Sequence, residues 1–127
     1  MRVLVTGAYG LIGSACLAQL HQQGHELVAL GRAVASARRR FPYARWIEAD
    51  VRKLTVLAAW WSHLEGIDAV VNCLGVLQDG ARDDVRRVHV AATCALFDAC
   101  AEALVHRIVH ISMIGADAAA PTEFARS

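Results

Sequence analysis

The eight residues Thr6-Gly7-Ala8-Tyr9-Gly10-Leu11-Ile12-Gly13 restrict the fold more than any other part of this chain. They join a short β-rich run, Arg2 to Thr6, to a segment from Leu11 to Gln23. In that segment Leu11, Ala15, Ala18 and Leu20 recur at roughly helical spacing before Gly24. Glycines at i, i+3 and i+6 between a strand and a helix can meet three demands. These are a tight turn, a backbone close enough to touch a pyrophosphate, and a close helix–sheet contact. Gly7, Gly10 and Gly13 are assigned to them in turn, with amides of the helix N-terminus capping the anion. The alternative is a glycine-rich turn that holds no ligand.

The rest of the chain repeats the same alternation. Strands are predicted at Glu26 to Gly31, Arg45 to Asp50, Asp68 to Leu74 and Arg107 to Ile114. Helices are predicted at about Ala33 to Arg40, Lys53 to Leu64 and Asp83 to Leu104, the last with Val85, Val88, Ala92, Ala95, Leu96, Ala99 and Ala103 on one stripe. The near-continuous apolar character of strands four and five suits a parallel sheet covered on both faces. Parallel strands need long connections, so the expected fold is α/β, a doubly wound parallel sheet of five strands in order 3-2-1-4-5, layered αβα. There are no internal repeats and no linker apart from the small-residue tail Gly115 to Ala120, so residues 1–127 read as one dinucleotide-binding domain.

Composition narrows the setting. Residues of the AVILMFWYC set make up 56% of the 127, before nine glycines are counted, against about 45–50% with glycine included in an ordinary soluble domain. Disorder is excluded. The longest apolar stretches, Ile67 to Leu77 and Ala91 to Ala101, are broken by Asp68, Asn72 and Asp98, and both fall short of the ~18 residues of a spanning helix. The start of the chain is too short in apolar residues for a secretory signal, so a cytoplasmic protein is expected. Cys16, Cys73, Cys94 and Cys100 form no C-x-x-C pair and read as buried reduced thiols. A net charge of +1 gives no general attraction to nucleic acid; the run Arg38-Arg39-Arg40 reads as a solvated helix end.

At the end of strand two a dinucleotide site usually carries the residue that reads the ribose. Here the strand ends Leu30-Gly31-Arg32 with no carboxylate, and a planar guanidinium suits a 2′-phosphate. NADP(H) is therefore expected over NAD(H), with Arg38 as a second contact. The alternative is an Arg32 that merely starts a solvated helix. TGAYGLIG, Gly31-Arg32, Ala49-Asp50-Val51, Asn72-Cys73-Leu74-Gly75 and His110-Ile111-Ser112, in this order over essentially the whole chain, resemble the extended and atypical short-chain dehydrogenase/reductases. The resemblance is strongest to the NAD-dependent epimerase/dehydratase and NmrA-like branch. It implies that Asp50 and Val51 flank the adenine, that Leu74 and Gly75 run beside the ribose and nicotinamide, and that Leu11 and Ile12 supply pyrophosphate amides.

The catalytic pattern of that family breaks here. Its enzymes use a Tyr and a Lys four residues later, the cation favouring the phenolate of a group that otherwise titrates near 10. Phe124 stands at the Tyr position, the chain ends at Ser127 before the Lys, and His89 replaces an Asn on helix four. Ser112 is close to the usual Ser/Thr position. Ser112 and His89 are the remaining catalytic candidates, although a structural His89 on its apolar stripe is the plainer reading. His106 and His110 lack a third ligand, so no metal is expected. Trp60 and Trp61 read as core and surface packing partners. Strand five would be an edge that native proteins cover, which suggests the N-terminal cofactor part of a longer protein, or one completed by an oligomer or partner. Three function classes follow. One is the cofactor part of an oxidoreductase acting on a small molecule. The second is a non-catalytic NADP(H) sensor or accessory subunit, as the resemblance to NmrA-like sensors and to the NADPH-binding subunit of respiratory complex I implies. The third is an interaction domain whose glycine turn is vestigial.

Overall fold

Strands that all run one way must each be reached by a crossover, and the crossovers here lie on both faces of the sheet. A computed structural model describes residues 1–76 and 84–126, with the backbone alone at 123 and 124. The strands are β1 (Arg2–Thr6), β2 (Glu26–Gly31), β3 (Ala44–Glu48), β4 (Ala69–Asn72) and β5 (Arg107–His110). They form one parallel sheet in the order β3-β2-β1-β4-β5, the doubly wound order expected. The helices are α1 (Leu11–Gln22), α2 (Ala35–Arg40), α3 (Trp61–Leu64), α4 (Thr93–Glu102) and α5 (Glu123–Arg126).

Side-chain alternation along β1 divides the core. Val3 and Val5 turn to the face covered by α1 and α2, where Leu17, Ala37, Phe41 and Trp46 pack. Leu4 turns to the opposite face, against Trp60, Leu64, Val88, Ala92 and Leu96. Because both faces are buried, a one-residue slip would exchange the two sets without exposing either, so register rests on the shapes of the two layers. In β1 the register is Leu4 opposite Val28 and Val70, and Thr6 opposite Leu30 and Asn72.

Three elements differ from the sequence reading. The helix expected over Lys53–Leu64 is instead two 3₁₀ turns, Val51–Lys53 and Leu57–Ala59, followed by the short α3. Between the turns the β-branched pair Thr55-Val56 leaves the helical region, Val56 taking φ −128° and ψ 146°. Trp60 still reaches the core at 0% exposure, its indole N–H donating to the Leu54 carbonyl at 2.8 Å, while Trp61 is exposed. Helix four opens with a π-helical segment, Arg87–Ala92, before α4; the start expected at Asp83 lies outside the described residues. The wider turn is sealed by Thr93, whose hydroxyl donates to the Val88 carbonyl at 2.9 Å. Strand five ends at His110 rather than Ile114, because past Asn72 its neighbour β4 no longer offers a ladder partner.

Helix α4 closes with Val105 N–H donating to the Cys100 carbonyl and Leu104 N–H to the Ala101 carbonyl, a Schellman end. Its left-handed position, φ 54°, is held by Leu104, a side chain 79% exposed. Leu104→Gly is expected to raise stability by about 0.5–1 kcal/mol in urea unfolding, since glycine takes that conformation without the Cβ clash. An unchanged or lower midpoint would count against the strain. The β5 edge is open as expected: Ile108 and Val109 are 38% and 44% exposed.

Candidate functional site

All five strands end on one side of the sheet, and the glycine turn sits there. Gly7 has φ +62°, and a Cβ on it would lie 2.5 Å from the Cys73 carbonyl oxygen. A Cβ on Gly13 would lie 2.2 Å from the Gly7 carbonyl oxygen. Gly7 thus lets the turn pass directly over the end of β4, and Gly13 lets α1 sit on the turn itself. Gly10 closes the turn, its N–H donating to the Gly7 carbonyl at 3.0 Å. As N-cap of α1 it supplies no side-chain cap, and the first turn holds no acidic residue. The amides of Leu11, Ile12 and Gly13 form that first turn, the positive end of the helix.

Two clefts flank this helix end. The first is an open cleft lined by Gly7, Gly10, Arg32, Val51, Leu74 and Gly75 among the residues singled out in the sequence. The second, also open, is lined by Ile12, Leu74, Gly75, His89 and Ser112 from the same set. The clefts meet at Cys73, Leu74 and Gly75, which border both.

Other expected residues are placed differently. Leu11 is 91% exposed and borders neither cleft with its side chain. Asp50 is not among the residues lining the first cleft: Arg52 binds its two carboxylate oxygens through Nε and Nη2, at 2.9 and 2.6 Å. That guanidinium holds the Asp50 carboxyl below its usual range, burial opposes it, and Arg32 adds a further pull downward. Arg38 does not line the cleft; its Nη2 reaches the Trp46 carbonyl at 3.5 Å. Arg52 is the second cation that does line it. Two residues that the sequence reading passed over complete the wall. Tyr9 lies over Gly31, where a Cβ would come within 2.3 Å of its ring, and its hydroxyl accepts from the Arg32 N–H at 3.3 Å. His110 borders the second cleft. The aromatic in the glycine turn and the missing Cβ at the end of β2 form a matched pair whose signal is visible only once β1 and β2 are known to be adjacent.

His89 sits in the π-helical segment, half-buried, and its Nε2 accepts the Val76 N–H at 2.8 Å. It is therefore an anchor for the chain leaving β4. Burial, with His110 nearby, pushes its pKa below the ordinary 6.5. The folded state thus favours the neutral ring: this contribution is complete above about 6.5 and fades as pH falls through the lowered folded value. Lowering the pH from about 7 to about 5 is expected to reduce the melting temperature of the wild type more than that of His89→Gln, which accepts without titrating. Parallel curves would remove His89 from the effect. The side chain of Phe124 lies outside the described ones. Ser112 is exposed at the rim of the second cleft. Of the four cysteines expected to be buried only Cys100 is; Cys16 and Cys73 are half-buried and Cys94 is exposed. Among the described residues no group of three metal-ligating side chains converges, and no helix is long and apolar enough to cross a membrane.

The chain is similar to known proteins over most of its length. An uncharacterized protein of Mycobacterium tuberculosis is 34% identical over 113 residues, covering 88% of this chain and 12% of the relative. The UDP-glucose 4-epimerase of Klebsiella pneumoniae is 38% identical over 87 residues, covering 60% of each. Among solved structures, the UDP-glucose-4-epimerase of Stenotrophomonas maltophila with bound NAD and formylated UDP-arabinopyranose superposes with a TM-score of 0.72 at 28% identity. It covers 96% of this chain and 40% of that one. The Thermus thermophilus UDP-glucose 4-epimerase complex with NAD gives a TM-score of 0.73 at 25% identity, over 91% of this chain and 39% of that one. The chain thus spans less than two thirds of the length of each of these relatives. The model of the NAD dependent epimerase/dehydratase family matches residues 3–124, and the chain belongs to that family.

Proposed function

We propose that this chain binds a nicotinamide dinucleotide, NADP(H) in preference to NAD(H), as the cofactor-binding part of an epimerase/dehydratase-like oxidoreductase. The observation that carries the reading is the uncapped N-terminus of α1, seated on Gly7 and Gly13 where the two clefts meet. A pyrophosphate there faces the positive end of the helix, with one nucleoside in each cleft. The solved relatives with NAD in their complexes support the dinucleotide class. The preference for NADP(H) rests on Arg32, which lines the first cleft just past the end of β2, where the sequence Leu30-Gly31-Arg32 supplies no carboxylate of its own to take a 2′-hydroxyl. A charge-assisted contact to a 2′-phosphate is worth about 1.5–3 kcal/mol, so NADPH is expected to bind roughly ten- to a hundredfold tighter than NADH. Arg32→Ala should remove most of that margin while sparing NADH. Equal or tighter NADH binding in a fluorescence titration of the wild type would reverse the assignment.

One observation favours a second reading, a non-catalytic sensor or accessory subunit. His89, the candidate acid/base, already spends its Nε2 on the Val76 amide. Ser112 alone does not exchange protons at neutral pH without a partner to lower its pKa. Hydride turnover by the complete protein with a panel of carbonyl substrates would overturn this second reading. In either case the open β5 edge is the surface that further chain or a partner would cover.

A further inference from the structure

Thr6, Asn72 and His110 stand side by side across three adjacent strands, Thr6 in register with Asn72 and Asn72 with His110. Thr6 and Asn72 are both 0% exposed, where polar side chains persist only if hydrogen bonded. Thr6 Oγ1 bonds Asn72 Oδ1 at 2.5 Å, and the Leu74 N–H approaches the same atom at 3.4 Å. The hydroxyl could serve either way, but a backbone amide can only donate, so that end of the Asn72 amide is its oxygen. The other end, Nδ2, is then a donor, and it faces Nδ1 of His110 at 3.0 Å. A ring nitrogen opposite an N–H carries the lone pair. The proton of the neutral imidazole is therefore on Nε2.

That Nε2–H has no hydrogen-bond partner among the described residues. The ring is steadied edge-on against Phe97, centroids 5.5 Å apart and planes at 82°, and it borders the second cleft. In the sheet order, β5 is three strand spacings from β2, about 14 Å. Arg32 follows β2 and His110 ends β5, so a ligand whose 2′-phosphate meets Arg32 places its far half, not its central phosphates, at His110. We infer that His110 is a ligand-contacting donor of the second cleft, offering Nε2–H to the carboxamide oxygen of the nicotinamide half, with Thr6 and Asn72 as positioning residues. The identity of the acceptor rests on the dinucleotide reading above; the tautomer does not.

The tautomer is read directly from long-range proton–nitrogen correlations of the uniformly ¹⁵N-labelled protein without ligand. An Nε2–H ring at His110 is expected, and an Nδ1–H ring overturns the inference. For the contact, NADPH is compared with 2′-phospho-ADP-ribose, which keeps the Arg32 half and the pyrophosphate but lacks nicotinamide. His110→Phe keeps a ring against Phe97 and removes the donor, and should weaken NADPH about three- to tenfold while leaving the truncated ligand within about twofold. His110→Gln, whose amide nitrogen reaches the Nε2 position, should recover most of the loss. Equal weakening of both ligands, or weakening of neither, overturns the contact. A wild type that binds neither ligand overturns the dinucleotide reading and the carboxamide assignment with it, and the nitrogen spectrum still decides the tautomer.

Discussion

Gly13→Ala is expected to destabilise the protein by about 3 kcal/mol or more, against the helix propensity that favours alanine over glycine by about 1 kcal/mol. Gly13 is inside α1, so an alanine there meets no φ penalty and its entire cost is steric. The added methyl would lie 2.2 Å from the Gly7 oxygen, 2.8 Å from the Gly7 carbonyl carbon and 2.9 Å from the Ala8 Cα. All three are backbone atoms, and no side-chain rotation relieves them. Either α1 lifts from β1, breaking its seat on Val5 and Ala8, or the turn shifts and loses its passage over Cys73. Gly24→Ala supplies the contrast, because φ is +78° and nothing lies within 4 Å of the added Cβ. Its cost is the left-handed strain alone, about 1 kcal/mol. In thermal unfolding the two variants should therefore separate widely, with Gly13→Ala lower by roughly 10 °C. Similar midpoints would show that close helix–sheet contact is not what this glycine provides.

The strand order was readable because two periodicities, one apolar run per strand and one stripe per crossover, alternate without interruption from Arg2 to His110. The glycine turn was readable because its three demands are backbone demands made within seven residues. What stayed hidden depends on pairs brought together by the sheet. Tyr9 over Gly31 joins residues from different strand ends, and the Thr6, Asn72 and His110 rung spans residues 66 and 38 apart. Neither has a local signature. The crossover after β3 misled for a different reason: Leu54, Leu57, Trp61 and Leu64 keep helical spacing, but Thr55-Val56 favours extended backbone, and a tryptophan indole bonding the Leu54 carbonyl stabilises the broken path. Arg52 was passed over in favour of Arg38. Asp50 caps the short turn after β3 by accepting the Arg52 N–H, and so fixes Arg52 at the rim of the first cleft.

Gly10→Val should abolish dinucleotide binding, by a hundredfold or more in Kd, while costing only about 1 kcal/mol of stability. Gly10 differs from its two neighbours in the triplet: its φ of −68° and ψ of 174° are open to any residue, and the one contact an added Cβ would make is with the Gly7 oxygen at 3.2 Å. A few tenths of an ångström of relaxation accommodates it, and the remaining cost is that of a β-branched residue at an N-cap. The fold therefore survives. The binding surface does not, because Gly10 lines the first cleft at the mouth of α1. A pyrophosphate must come within about 2.9 Å of the first-turn amides to be bound by them, and the valine methyls stand over that approach. Loss of each charge-assisted bond forfeits about 1.5–3 kcal/mol, so losing even two reaches the hundredfold expected. Circular dichroism and urea unfolding establish that the variant is folded, and NADPH titration reads the loss. Retained affinity in a folded Gly10→Val would mean that the dinucleotide does not lie on the turn. Loss of affinity with the fold intact excludes the vestigial-turn reading, in which the glycines serve packing alone.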